Sequence, residues 1–300
     1  MSEIQELDPS TAELFEKMTF PAFRHLLRKV SPDGPYLAFC HSILGRPSGM
    51  VLADMMDGQT AEVLSVFVGK EFRNQGIGKA LMTELEKELA TRGCNRVFGI
   101  YTANKPSARG LESLLEKCGW EPPEPRQVIC TSKGEDVERM MKSDWMNRYR
   151  LPKNFVIFPW TELTAEESEE IRAWPDDPPY YHWGLSPFLE EGTAFEPVNS
   201  LGLRYKDEIA GWMITTRVAR DTLRYERLFV RKEFQRMGRA IPLLAESIRR
   251  QYAHEGHIPT KGGIWIAQAD NMPMVQFIRK RMGPYLTSLI ETKQSFKSLQ

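Results

Sequence analysis

Apolar and polar positions along the 300-residue chain change period several times, and they do so in the same order twice. A short apolar opening, Ile4–Leu7 in the first half and Phe155–Phe158 in the second, reads as a first strand. A helical stretch interrupted by prolines follows each opening. Two strand pairs joined by short polar or Gly-containing turns come next: Tyr36–Ile43 with Gly49–Met55, and Ser200–Tyr205 with Ile209–Thr215. A β-rich run follows, Glu62–Val68 or Leu223–Val230. The period then switches to that of an amphipathic helix. Leu81, Leu85 and Leu89 recur at i, i+4, i+8; Ile241, Leu244, Ile248 and Tyr252 recur at i, i+3, i+7, i+11. Gly93 and Gly256 are natural helix stops. Another strand, Arg96–Tyr101 or Gly263–Ala267, leads to a last helix that begins near Asn104 or Asn271. Residues Gln127–Arg150 read as a strand-like piece and a charged helix joining the halves. Arg148–Lys153, with Pro152, reads as the linker, which divides the chain into domains 1–150 and 151–300.

The two halves share residues as well as pattern. VFVGKEFRNQG (Val66–Gly76) matches LFVRKEFQRMG (Leu228–Gly238) at six positions, all at an offset of 162. The same offset places Gly49 on Gly211. Downstream, ANKP (Ala103–Pro106) echoes DNMP (Asp270–Pro273) at offset 167, so the five added residues fall in the loop His254–Gly263. Two copies of one domain, related by duplication, are the expectation.

Composition narrows the class. Lys plus Arg and Asp plus Glu number 40 each. Residues 1–150 carry 20 basic and 21 acidic side chains, and residues 151–300 carry 20 and 19. Neither half is basic, so nothing points to nucleic acid or an anionic membrane as partner. Cys40, Cys94, Cys118 and Cys130 form no CxxC pair, and no stretch approaches 18 apolar residues. The acidic start lacks the apolar run of a signal peptide. A reduced cytoplasmic protein is expected. His254 and His257 lack a third ligand at metal spacing, so no metal is expected.

The chemistry sits between strand and helix. RNQGIG (Arg73, Asn74, Gln75, Gly76, Ile77, Gly78) and QRMGRA (Gln235, Arg236, Met237, Gly238, Arg239, Ala240) share the form Arg/Gln-x-x-Gly-x-Gly/Ala. Such a loop at a helix start presents free backbone N–H groups and the positive end of the helix dipole to a pyrophosphate. Two other phosphate motifs fail. Gly78–Lys79 is followed by Ala80 rather than Ser or Thr, and Leu81 stands where a Rossmann fingerprint needs its third glycine.

On these residues each half resembles the GNAT superfamily of acyl-CoA-dependent N-acyltransferases. The resemblance runs from about Gly49 to Trp120 and from Gly211 to Gly283. It implies an α/β fold of two repeated GNAT domains, each a mixed sheet flanked by helices. It implies that the loops, with Lys79 after the first, hold the pyrophosphate of acetyl-CoA or another acyl-CoA. It implies too that the backbone of Val66, Phe67 and Val68, and of Leu228, Phe229 and Val230, lines the pantetheine arm. The family's Asn at the start of the last helix maps to Asn104 and Asn271. Many members place a Glu base eleven residues before the loop. That position is Glu62 in the first copy and Arg224 in the second, where Glu226 lies two residues on, on the same strand face. Glu226 is alternatively only a partner of Arg224 or Arg227. The family's Tyr acid falls on Leu115 in the first copy and on Ile278 or Arg279 in the second, so neither copy keeps it. Tyr101 is a substitute candidate. The cluster Trp174, Tyr180, Tyr181, His182 and Trp183 falls in the segment that walls the acceptor site in this family.

The resemblance implies direct acyl transfer, by default acetyl, to an amine of a small molecule or peptide. A longer acyl chain on CoA or a carrier protein is an open alternative. So is a CoA-binding tandem module that senses or scaffolds without catalysis. The first copy, with Arg73, two glycines and Glu62, is the expected catalytic one.

Overall fold

A computed structural model describes residues 4–174, 184–188, 193–235, 238–253 and 262–299. The chain forms two compact units. Unit 1 comprises Met1–Arg126 with Glu291–Gln300, and unit 2 comprises Gln127–Ile290.

In unit 1 the strands β1 (Ile4–Glu6), β2 (Tyr36–Ile43), β3 (Arg46–Met55), β4 (Thr60–Val68), β5 (Arg96–Thr102) and β12 (Ser288–Ser298, from Glu291 onward) lie side by side in that order. Only the β4–β5 pair is parallel. It is joined by helix α2 (Ile77–Thr91), which follows the short helix α1 (Ala12–Phe15); α3 (Ala108–Lys117) follows β5. The sheet is buried on both faces, and alternation sorts its side chains. Leu37, Phe39, Val51 and Ala53 pack on Leu81, Leu85 and Leu89 of α2 and on Leu115 of α3. Ala38, Cys40, Met50 and Leu52 pack on Leu7, Phe15 and Leu27 of the N-terminal segment, which is a series of short 3-10 turns.

Unit 2 repeats the plan. Its strands run β6 (Glu124–Lys133, from Gln127), β11 (Gly262–Gln268), β10 (Thr222–Val230), β9 (Glu208–Ala219), β8 (Leu201–Tyr205), β7 (Phe155–Pro159). Only β10–β11 is parallel. Helices α4 (Glu135–Met141), α5 (Asp144–Arg148), α6 (Ala165–Arg172), α7 (Lys232–Gln235), α8 (Ala240–Ala253) and α9 (Met272–Phe277) complete it. The core under α8 joins Leu244 and Ile248 to Leu203, Met213 and Tyr225. The opposite face is aromatic, with Trp160, Trp212 and Phe229 packed beside Trp174.

The offset of 162 holds in three dimensions. The β3–β4 ladder slips at Leu64 and the β9–β10 ladder slips at Glu226, the residue 162 positions later. Gly49 and Gly211 face the carbonyl oxygens of Phe67 and Phe229, where a Cβ would approach to 3.3 and 2.4 Å. Those close approaches explain why this glycine recurs.

The units do not divide at 150/151. Arg148–Lys153, expected as the linker, lies inside unit 2. The reason is strand pairing. β6 belongs to the first half of the sequence but pairs antiparallel with β11 over Gln127–Lys133. β12 lies at the end of the sequence but pairs antiparallel with β5 over Thr292–Ser298. Each unit is therefore completed by a strand from the other half of the sequence.

Candidate functional site

The site in unit 1 starts from a pairing that stops. β4 pairs with β5 from Thr60↔Arg96 to Glu62↔Phe98 and no farther. The bulge at Leu64 turns the rest of β4 away, since a bulge adds a residue and increases local twist. Val63–Val68 thus stays paired to β3 while separating from β5. A strand edge of this kind offers backbone N–H and C=O groups to an extended ligand. Phe67 is half exposed on the same segment.

The loop after β4 leads straight into α2. Asn74 and Gly76 both take positive φ, 62° and 84°. Gly76 is the N-cap of α2, no side chain caps it, and no acidic residue lies in the first turn. The first intrahelical bond at this end runs from the Ala80 N–H to the Gly76 carbonyl, 3.0 Å. The N–H groups of Ile77, Gly78 and Lys79 therefore point out of the helix end without intrahelical partners. Arg73 arches back over the loop, its Nε donating to the Val68 carbonyl at 3.1 Å. Arg73, Asn74, Gln75, Gly76 and Lys79 are exposed. The donor set and the lack of an acidic residue in the first turn of α2 fit a pyrophosphate.

Glu62 is half-buried at the point where β4 and β5 part. Burial pushes its carboxyl above the usual carboxylate range; Arg126 opposes the shift and Asp54, its cross-strand neighbour on β3, reinforces it. A carboxylate so placed takes protons more readily than a solvated one.

Tyr101 does not stand free at the end of β5. Its hydroxyl donates to Glu112 of α3 at 2.9 Å, and Glu112 also accepts from Lys293 of β12 at 2.8 Å. Burial and the bond to Glu112 raise the phenol further above its ordinary value. The hydroxyl of this candidate acid is thus engaged by Glu112. Leu115, at the position of the family's Tyr, is buried in the core. Asn104 does not start the last helix: α3 begins at Ala108, and the Asn104 side-chain oxygen accepts from the Glu291 N–H at 3.3 Å.

The counterpart in unit 2 is similar in backbone and different in chemistry. β10 pairs with β11 only from Thr222↔Gly262 to Tyr225↔Trp265. Gly238 takes a φ of 67°, and Gln235 Nε2 donates to the Val230 carbonyl at 2.9 Å, the bond that Arg73 makes to Val68. Arg236 and Met237 lie outside the described residues. The loop is less open than in unit 1. Tyr149 would lie 3.8 Å from a Cβ on Gly238, and the Arg239 guanidinium sits over the Phe155 ring at 5.3 Å. Leu228 is half-buried, while Phe229 and Val230 are buried. Asn271 does cap its helix, accepting from the Met274 N–H at 3.3 Å.

Glu226 is the bulge residue of β10, so its counterpart is Leu64 and not Glu62. Its carboxylate accepts from Arg224 and from Thr216 (2.9 Å), and Arg227 lies 3.7 Å away. These contacts match the reading of Glu226 as a partner of Arg224 and Arg227, with its carboxylate engaged by side chains of its own sheet. Tyr180, Tyr181, His182 and Trp183 lie outside the described residues; Trp174 packs on Trp212 and Phe229. Most of the loop His254–Gly263 also lies outside them. Sequence reasoning missed Glu112, Arg126 and Lys293. Two of them reach the site from strands whose partners lie far along the chain, and no local motif marks them.

In both units a strand parts from its parallel neighbour near a bulge, and a glycine of positive φ precedes the helix that follows. Residues 2–120 match the family model described as Acetyltransferase (GNAT) family, a family that transfers acyl groups from CoA. The whole chain superposes on a tandem GNAT protein from the clavulanic acid biosynthesis pathway, with 14% identity over 100% of this chain and 99% of that one, at a TM-score of 0.58. It also superposes on a GCN5-related N-acetyltransferase from Sphaerobacter thermophilus, with 14% identity over 100% and 96%, at a TM-score of 0.62. No curated protein matches the sequence at a significant level. The chain has the tandem GNAT fold.

Proposed function

We propose that the protein transfers an acyl group, by default acetyl, from CoA to an amine of a small molecule or peptide, and that unit 1 does the chemistry. One observation carries this reading: the uncapped, carboxylate-free start of α2 stands beside the segment of β4 that leaves β5 at Glu62. Backbone N–H groups of Gly76–Lys79 and the exposed Arg73 bind the pyrophosphate. Backbone groups of Val66–Val68 hold the pantetheine arm in the opening between β4 and β5. Glu62 takes a proton from the bound ammonium, directly or through a water; the freed amine nitrogen then bonds to the thioester carbonyl carbon, and the carbon–sulfur bond breaks to release CoA thiolate. In unit 2, Arg224 replaces the base and Glu226 is held by its ion pairs, so unit 2 supports rather than catalyses.

A second reading has one observation behind it. Leu115 is buried where an acid would protonate the leaving thiolate, and Tyr101 is engaged by Glu112. On that reading the chain binds CoA without turnover. The purified protein, incubated with acetyl-CoA and a panel of amines, separates the two: release of free CoA thiol above the amine-free rate supports transfer. CoA binding without release across the panel supports the binding module. Neither binding nor release sinks both.

A further inference from the structure

The last strand brings two lysines to unit 1, four residues apart on one face of β12. Lys297 Nζ donates to Glu86 Oε2 at 2.5 Å and to the Cys118 carbonyl at 2.6 Å. Glu86 is on the buried side of α2, and its other oxygen accepts from the Trp120 indole N–H at 2.7 Å. Cys118 is the C-cap of α3, and Trp120 follows it. One ammonium group therefore joins the phosphate-loop helix to the end of the next helix. Lys293 holds α3 again, through Glu112, a turn and a half earlier.

These two helices flank the opening between β4 and β5. α2 begins in the glycine loop, and α3 touches its first turn: a Cβ on Gly78 would lie 3.4 Å from each Leu114 methyl. Leucine contacts alone leave two helices free to slide, because apolar packing is not directional. A buried carboxylate with both oxygens occupied is directional, and moving the end of α3 away would take Trp120 from one oxygen of Glu86 and the Cys118 carbonyl from Lys297. The Lys297 ammonium, with three donors on one nitrogen, reaches acceptors on both helices from a single strand position.

We propose that Lys297 is a positioning residue for the acyl-CoA cleft of unit 1. From the last strand it fixes the separation of α2 and α3, and with it the width of the opening that receives the pantetheine arm. The inference rests on the reading of unit 1 as the CoA site.

The test uses the full chain. CoA affinity is measured by calorimetry, KM and kcat with acetyl-CoA and a reactive amine, and cooperativity by thermal melting. Lys297→Met alone leaves Glu86 buried and unpaired, so it is paired with Glu86→Gln, whose neutral amide oxygen still accepts from Trp120. The double variant is expected to melt cooperatively, to raise Kd and KM for CoA about tenfold, and to keep kcat at saturation within about twofold. Lys297→Arg, which keeps the charge, is expected to stay near the wild-type Kd. A cooperatively melting double variant with wild-type Kd and KM overturns the inference while leaving unit 1 as the CoA site. Loss of cooperative melting also overturns it, by making the tie structural only. A wild-type chain that binds no CoA overturns both the reading and the inference.

Discussion

Glu62 carries two opposite expectations, and both follow from its half-buried position. As a base it is useful because burial and Asp54 raise its proton affinity against the pull of Arg126. Glu62→Gln is expected to leave CoA binding intact and to lower turnover by ~10²-fold or more near neutral pH. The deficit shrinks at high pH, where the amine is already deprotonated. An unchanged rate removes Glu62 from the mechanism. For stability the sign reverses. A carboxyl whose folded pKa lies above its unfolded value holds its proton more tightly in the native state. Stability is then lost as pH rises from the ordinary carboxylate pKa through the folded one. The neutral Gln variant is expected to melt at or above the wild-type temperature at neutral pH, with less pH dependence. A melt lower at neutral pH than that of the wild type contradicts this. Tyr101→Phe, by contrast, is expected to change kcat by less than about threefold, because the phenol proton is already given to Glu112. A hundredfold loss in kcat returns Tyr101 to the acid role. The family resemblance, counted back from Arg73, put Glu62 forward. It placed Glu226 beside Arg224 correctly but hid its place on the bulge, since nothing in a β-rich run marks which residue a ladder will skip.

At the scale of elements, most of the architecture was readable because it is local. The switch from strand alternation to helical period marks β4 into α2 and β10 into α8. The paired glycines at 49 and 211, and at 76 and 238, mark where backbone geometry excludes a side chain. β12 escaped notice for a physical reason. Its sequence, SLIETKQSFKS, is mostly polar and half-exposed, and its partner β5 lies nearly two hundred residues earlier. The glycines differ in the same local terms: a Cβ on Gly76 would meet open space, and one on Gly238 would touch Tyr149 at 3.8 Å. Gly76→Asp and Gly238→Asp each put a carboxylate where an anion would sit, and each forces a side chain into a left-handed backbone. The first is expected to abolish acetyl-CoA turnover. The second is expected to spare it while lowering the melting temperature. The reverse pattern, activity lost only with Gly238→Asp, transfers catalysis to unit 2.

For the molecule as a whole, the reciprocal placement of β6 and β12 ties unit 1 to residues that the duplication pattern assigns to the second copy. A chain ending at Ile290 lacks the partner of β5 along Arg96–Thr102 and leaves Glu86 without its ammonium. It is expected to aggregate or to lose the CoA affinity of unit 1, as read by light scattering and calorimetry. Full affinity in a soluble, monodisperse truncated chain contradicts this.

The placement of β12 also bears on the order in which the protein is made. Translation runs from the N-terminus, at about 5–20 residues per second, and domains ordinarily fold as they emerge. Unit 1 has nearly all of its residues once Arg126 has left the ribosome, yet its sheet stays incomplete until Glu291–Gln300 follow. For roughly 10–30 s the β5 edge waits with its ladder groups unpaired, a template for another nascent chain or a substrate for a holdase. The unit encoded almost wholly by the first half of the sequence is thus the last to complete its sheet, and a premature stop anywhere in the second half leaves it without that strand.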